Sequence, residues 1–231
     1  MRLSILGLVC LLGACAHSPV DDPSDPLEPM NRAVYGFNEK LDTYVAQPVA
    51  RGYVKAVPSP IRIGIGNFLD NLTYPTVILN DALQGKFAQA GRDTGRFLLN
   101  TTFGLAGFLD PATRVGLERN DEDLGQTLGH WGVGPGWYLM LPLLGPATNR
   151  DLLGRVGDTY TSPTTYADSD VRLPVTAAGV VDARAGLLGT EGVLAQQFDR
   201  YVFIRGVYLQ NRLNRVHDGN PPKEEIDYGD E

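Results

Sequence analysis

Between residues 26 and 217 apolar side chains recur at three- and four-residue steps, interrupted by proline and glycine. Val34, Phe37, Leu41 and Val45 step by 3, 4 and 4, which predicts one apolar helix face. Asp25-Pro26-Leu27-Glu28 ahead of them has the form of a capping box, with proline at the first helical position. Gln47-Pro48 starts a short segment to about Val57, Pro58-Ser59-Pro60 breaks the chain, and Ile61, Ile65, Phe68, Leu69 and Leu72 resume the helical spacing. Tyr74-Pro75 predicts a restart through Leu83. Lys86 to Thr102 reads as a longer helix with Phe87, Ala90, Gly91, Thr94, Leu98 and Thr101 on one side; the Ala, Gly and Thr among them permit close approach. Asp121 to Trp131, Pro174 to Leu188 and Leu194 to Val216 complete the set. The last carries Tyr201, Ile204, Tyr208, Leu209 and Leu213 in register. No stretch sustains a two-residue alternation, and there is no internal repeat. The pattern predicts an all-α body of many short helices, as a single domain.

Composition sharpens this. The 231 residues are 43% hydrophobic, enough for a real core, and the net charge of −7 argues against a nucleic-acid binder, which needs a basic stripe. The imbalance sits at the ends: residues 16–25 hold Asp21, Asp22 and Asp25, and residues 218–231 hold six acids against Lys223. The body between is neutral, with eighteen residues of each sign. Both cysteines, Cys10 and Cys15, lie in the first fifteen residues, so no disulfide framework exists beyond them.

The N-terminus reads as an address. Arg2 precedes an apolar run from Leu3 to Leu12, too short to span a bilayer and of signal-peptide length. Leu12-Gly13-Ala14-Cys15 resembles the bacterial lipobox. In that motif two small residues admit the peptidase and the thiol takes a diacylglycerol. The bland alternative is an ordinary signal peptide cleaved near Ala16. Two acyl chains already suffice for stable anchoring, and a mature lipoprotein carries three. Ala16, where Asp would retain the protein inside, resembles sorting to the outer membrane. The divisions are therefore a signal peptide over 1–14, a lipidated tether over 15–25, a helical body over 26–217 and an acidic, disordered tail over 218–231.

Residues 132–146 carry no charge. Gly132, Gly134 and Gly136 allow left-handed turns, and Pro135, Pro142 and Pro146 oppose a straight helix. Two readings stand: a core strand behind a glycine turn, or a hairpin-like segment at membrane depth, where irregular backbone is tolerated only against protein or a cavity. Trp137 and Tyr138, with Trp131, suit an interface, and a lipid anchor favours the membrane reading. On it, Gly132, Gly134, Pro135, Gly136, Trp137, Tyr138, Leu139, Pro142, Gly145 and Pro146 form a gate beside a lipid path. In the last helix Arg205, Arg212 and Arg215 share a face, with Asp199 the one acid of that helix. That face is either solvated or meets phospholipid headgroups or an acidic partner.

Ordered motifs along the chain carry a family resemblance. Asp25-Pro26-Leu27-Glu28-Pro29-Met30-Asn31-Arg32 with Phe37-Asn38 opens it. Gly66-Asn67-Phe68, Arg96-Phe97 with Leu99-Asn100-Thr101, Phe108-Leu109-Asp110, Gly125-Gln126-Thr127-Leu128-Gly129, Gly132-Val133-Gly134-Pro135-Gly136, Leu141-Pro142-Leu143-Leu144-Gly145-Pro146 and Asp199-Arg200-Tyr201-Val202 follow in order. Over roughly residues 25–217 the chain resembles the VacJ/MlaA family of outer-membrane lipoproteins, departing at Arg200, where proline is expected. The resemblance implies a helical ring in the inner leaflet of the outer membrane, around an amphipathic channel. It implies removal of phospholipid from the outer leaflet and handover to a periplasmic lipid-carrier protein of the Mla pathway, which serves an inner-membrane ABC transporter. A trimeric porin is the implied membrane partner.

Other classes fare worse on the residues. No Gly-x-Ser-x-Gly elbow supports a lipid hydrolase. Of three histidines, His17 borders the anchor, His217 ends the last helix and His130 stands beside Trp131. Asp121-Glu122-Asp123 lacks His or Cys partners for a metal, and Gly132-x-Gly134-x-Gly136 leads into apolar residues rather than a phosphate cradle. No enzyme activity, cofactor or metal is expected. The remaining alternative is a structural lipoprotein that only scaffolds an envelope complex. If the lipobox is used, Cys15→Ala should leave an unprocessed precursor or release the body into the periplasm on fractionation. A fully retained Cys15→Ala protein would show that the anchor is dispensable.

Overall fold

The computed structural model describes residues 25–222; Cys15, the signal peptide, most of the tether and residues 223–231 of the acidic tail lie outside them. Helix α1 (Glu28–Leu41) passes through a π-helical turn (Asp42–Ala46) into α2 (Gln47–Ala56). Then come α3 (Ser59–Leu83), α4 (Phe87–Thr102), α5 (Pro111–Arg114) and α6 (Leu124–His130). A hairpin of β1 (Tyr138–Leu141) and β2 (Gly145–Thr148) leads into α7 (Asn149–Thr161). Helices α8 (Ser169–Gly186), α9 (Glu191–Ala195) and α10 (Arg200–Val216) follow, with short 3-10 turns around α8. The body is all-α apart from this one antiparallel pair, in which Tyr138 faces Thr148 and Leu141 faces Gly145.

Several boundaries differ from the sequence reading, each for a local reason. Pro75 does not restart a helix: α3 runs through it for 25 residues, because Tyr74, Thr76 and Val77 are buried on either side and packing overrides the lost hydrogen bond. Pro174 likewise sits inside α8, which starts at Ser169. The expected capping box at Asp25 is absent; Leu27 is the N-cap of α1 and makes no side-chain bond, while the Asp25 carboxylate is used elsewhere. Helix α6 starts at Leu124 rather than Asp121, since Asp123 caps it by accepting from the Gln126 N–H at 2.8 Å. The long final helix is split: the chain leaves α9 at Ala195, and Asp199 caps α10 through the Val202 N–H. Such caps contribute about 1 kcal/mol each.

The neighbour relations close on themselves. Helix α1 continues into α2, α2 packs on α8, α8 on α3, and α3 on α6; α6 meets α10, α10 meets β2, and β1 returns to α1. Side chains lock this circuit where it crosses between distant segments. Arg184 of α8 forms a fork with Asp42 and also reaches Glu191. Arg32 of α1 forks onto Asp199, the cap of α10. At the α6–α7 crossing only glycine fits: a Cβ on Gly154 would stand 2.3 Å from the Gly125 nitrogen.

The buried interior of the body is polar. Among the described residues nine apolar side chains are buried, against seventeen polar or charged ones. Fully buried groups include Asp25, Asn31, Asp81, Asp93, Thr127 and Thr148. Conversely, large apolar residues such as Phe87, Phe103, Leu105, Leu143 and Phe198 are exposed. A small aromatic cluster of Tyr138, Met140 and Tyr201, with Val34, Tyr35, Ile204, Tyr208 and Leu209 against it, is the apolar exception.

Buried polarity on this scale requires partners, and the α3–α4 pair shows how they are found. Asp81 and Asp93 are both fully buried and both accept from Asn120 Nδ2, at 3.2 and 3.1 Å. One oxygen of each, Asp81 Oδ2 and Asp93 Oδ1, has no donor, the place for a shared proton. Burial first, and the neighbouring Asp93 second, push the Asp81 carboxyl up to about 8; unfolded, it returns to the ordinary 3.8. Between those values the folded chain binds one more proton than the unfolded chain. The pair's stabilisation is therefore complete below about pH 4, declines as pH rises and is gone above about 8. Thermal unfolding followed from pH 5 to 9 should show that decline, and Asp81→Asn should remove up to about 1.4 kcal/mol per pH unit of it. An unchanged slope in that variant would show that no proton is shared there.

Candidate functional site

The uncharged segment forms a hairpin held from both sides, with its tip exposed. Helix α1 lies along the outer edge of β1 and supplies two asparagines seven residues apart, on one face. Asn31 donates to the Tyr138 carbonyl at 3.0 Å and accepts from the Met140 N–H at 2.8 Å. Asn38 donates to the Leu141 carbonyl and accepts from the Leu143 N–H, both at 2.9 Å. These two amides do for β1 what a neighbouring strand would do, leaving no open edge. Leu143 sits in the left-handed region at φ 66°, a conformation the Asn38 contact holds. On the other side Arg155 of α7 donates to the Pro146 carbonyl at 2.7 Å.

The alternation along β1 buries Tyr138 and Met140 and leaves Leu139 and Leu141 half-buried. Tyr138 packs edge-on against Tyr201 and Tyr208, with ring centres 6.0 and 6.2 Å apart; such contacts contribute about 1 kcal/mol each. Tyr138 is thus a core residue of the hairpin's base and not part of its exposed surface. Gly132, Gly134, Pro135, Gly136 and Trp137, by contrast, are all exposed, as is Pro142 at the tip beside Leu143 and Leu144, 71% and 67% exposed. Gly145 and Pro146 are half-buried. None of these ten residues lines the groove along α10 or the crevice between α3 and α8. Trp131 anchors the start of the segment by donating from its indole to the Leu83 carbonyl at 3.1 Å.

The arginine face of α10 requires correction. Tyr201, Arg205, Tyr208 and Arg212 point inward, onto carboxylates contributed by other segments. Asp25 accepts from Asn31 at 2.7 Å, from Arg205 at 2.9 Å and from the Tyr201 hydroxyl. Tyr208 donates to Asp151 at 2.6 Å. Arg212 is buried and bridges Asp123, at 2.5 and 2.9 Å, and Asp151, at 2.8 Å. Burial alone would raise both carboxyls. It is outweighed by Arg212 at Asp123, and by Tyr208 and Arg212 together at Asp151, so both end below the usual range. Arg215 is the outermost of the three and still pairs with Asp121 at 2.8 Å. Arg212 and Arg205 thus bind the chain's own carboxylates and are not offered to headgroups. The reading erred by counting acids along α10 only, whereas the partners lie 61 to 180 residues away.

A family model described as the MlaA lipoprotein matches residues 23–215.

The chain belongs to the MlaA lipoprotein family.

A relative from Escherichia coli (strain K12), named intermembrane phospholipid transport system lipoprotein MlaA, is 39% identical over 217 residues, covering 91% of this chain and 86% of the relative. The protein of that name from Haemophilus influenzae is 35% identical over 225 residues, covering 94% and 90%. A Rickettsia prowazekii protein without an assigned function is 35% identical over 191 residues, covering 81% and 76%. A solved structure, from work described as "Structural basis for maintenance of bacterial outer membrane lipid asymmetry", superposes with a TM-score of 0.76 at 36% identity, covering 85% of this chain and all of that one. Among the described residues of this member no three His, Cys, Asp or Glu side chains are placed to hold a metal ion.

The asparagines and aspartates that build the hairpin's setting were not singled out as functional from the sequence. Asn31 and Asn38 stood only as letters in a motif; their seven-residue spacing on an otherwise apolar helix face was the available signal. The arginine correction gives a sharp expectation. Arg212→Gln should destabilise the protein by about 3 kcal/mol, because it removes the cation that bridges Asp123 and Asp151 and leaves the buried Asp151 only Arg150, at 3.3 Å. Arg215→Gln, whose pair with Asp121 is largely exposed, should cost under about 1 kcal/mol. Urea unfolding of both variants in detergent micelles measures the difference, and equal small costs would return the whole face to the surface.

Proposed function

We infer that this chain is an outer-membrane lipoprotein that removes phospholipid strayed into the outer leaflet and passes it to a periplasmic carrier, keeping the two leaflets distinct. The observation that carries the reading is the inverted partition: polar groups fill the interior while large apolar side chains face outward. In water such an exterior would be an aggregation surface; against lipid tails it costs little. The names of the relatives support the same conclusion. Among the described residues no helix is long and apolar enough to cross a membrane; in this reading the body sits in the periplasmic-side leaflet.

In this reading Cys15 carries the lipid anchor. Asp25 lies ten positions on from it, a reach of at most about 35 Å, so the anchor keeps the body at the leaflet. A phospholipid needs a polar route for its head and an apolar one for its tails. In this reading the polar route runs through the ring that the helices close, and the exposed apolar tip at Leu143 and Leu144 meets the tails. The hairpin's base is fixed by Asn31, Asn38, Arg155 and Tyr138, and Arg150 holds the glycine loop at the Val133 and Pro135 carbonyls, so in this reading the freedom that remains is at Gly134 and in the exposed tip. That loop and tip are the gate. A trimeric porin beside the body and a soluble carrier on the periplasmic side complete the pathway.

Gly134 gives the test. An added Cβ there meets open space, and its backbone is not in the left-handed region that Gly132 and Gly136 occupy, so valine fits without a clash while stiffening the loop. In a deletion strain, Gly134→Val should reach wild-type protein level yet fail to restore detergent resistance and leave phospholipid exposed at the cell surface. Full restoration would show that flexibility of the loop plays no part. A strain that lacks the protein and still keeps its surface free of phospholipid would overturn the transport reading itself.

A further inference from the structure

Between α3 and α8 lies a crevice of about 540 Å³, within the size range of small-molecule sites and separate from the hairpin. Its walls are kept low by small residues, Gly66 on α3 and Gly179, Ala183 and Gly186 on α8. Four charges stand in it: Arg62 and Asp70 from α3, Arg119 from the loop after α5, and Asp182 from α8. They sum to zero. Arg119 pairs directly with Asp70, which leaves one cation and one anion without an ionic partner among the described residues.

The cation is Arg62. Its Nε donates to the Val57 carbonyl at 3.2 Å, which orients the guanidinium without neutralising it, and no carboxylate among the described residues pairs with it. The anion is Asp182. Its Oδ1 accepts from the Tyr53 hydroxyl at 2.9 Å, and its Oδ2 lies 3.3 Å from where a Cβ on Gly66 would be, with no donor of its own. Tyr53 links the two, since its hydroxyl also lies within the field of Arg62. Two opposite charges held apart in one crevice, rather than collapsed onto each other, match a ligand that is itself a separated pair. A lone anion would meet Asp182 as well as Arg62, and a lone cation the reverse.

We propose that this crevice receives the headgroup of a zwitterionic phospholipid, with the phosphodiester at Arg62 and a primary ammonium at Asp182, and that it favours such lipids over anionic ones with a polyol headgroup. The inference rests on the transport reading and adds the lipid class to it. A polyol-headed lipid satisfies Arg62 equally well but brings no cation to Asp182, so discrimination resides in the aspartate and binding strength in the arginine. Both groups are partly exposed, which limits the preference to about five-fold.

The test uses the full-length lipidated protein, incorporated into liposomes containing equal phosphatidylethanolamine and phosphatidylglycerol. After extraction in mild detergent, the lipid that stays with the protein is quantified by mass spectrometry. Wild type should hold phosphatidylethanolamine in about five-fold excess. Asp182→Asn should bring the ratio close to that of the bilayer with little change in total lipid, Asp182→Glu should keep the excess, and Arg62→Gln should lower both lipids together. Thermal melts establish that each variant is folded. Wild-type lipid in the bilayer's own ratio, or an excess that survives Asp182→Asn in a folded protein, overturns the headgroup site and leaves transport standing. Wild-type protein that retains neither lipid overturns the transport reading along with the site.

Discussion

Charge buried inside the helical circuit is the constraint that the rest of the structure answers. A carboxylate taken out of water costs several kcal/mol unless a cation or several donors meet it. In this chain Asp25, Asp123 and Asp151 are met by Arg205, Arg212, Asn31, Tyr201 and Tyr208. Apart from Asn31, six residues from Asp25, these contacts join segments 57 to 180 residues apart. Because such pairs are directional, they specify one arrangement of short helices where apolar packing would tolerate many. A protein whose exterior is bathed in hydrocarbon cannot rely on burying hydrocarbon to define its fold, since inside and outside then differ little for an apolar side chain. Polar pairing takes over that role.

The hairpin is the place where this logic meets irregular backbone. Two strands of four residues are too short to be stable alone, and at an apolar boundary an open strand edge is costly. Asn31 and Asn38 resolve both problems with side-chain amides, which donate and accept at once as a peptide group does. Because they sit on a rigid helix, the base of the hairpin inherits that rigidity, while the flanking glycine loop is held separately, by Arg150 at the Val133 and Pro135 carbonyls.

Periodicity made the helices legible, and glycine and proline density marked residues 132–146 as hairpin-like. Much else was out of reach for physical reasons. An amphipathic period identifies two faces but not the solvent each one meets: Phe37 and Val45 lie on the apolar stripe of α1 and its extension, and both are more than half exposed. Pro75 and Pro174 read as breaks because the loss of a hydrogen bond is local, while the packing that outweighs it is not. The three arginines of α10 read as a surplus of charge because their partners come from the N-terminal segment, the loop before α6 and the start of α7. Family resemblance supplied an expectation that residue patterns could not, namely that the outward face of this protein meets lipid.

That inversion also bears on charges left unpaired inside a crevice. Where the chain answers most of its buried charges itself, a charge left without an ionic partner in a crevice marks a position where compensation is able to arrive from outside. Arg62 and Asp182 are set apart in this way, each oriented by a neutral group, Val57 and Tyr53, that fixes direction without cancelling charge. By contrast Arg212, which the chain neutralises twice over, cannot also grip a passing headgroup without unmaking the fold. Structural and lipid-facing charges are thus separated by whether the protein completes the pair, a distinction that net charge and helical faces do not reveal.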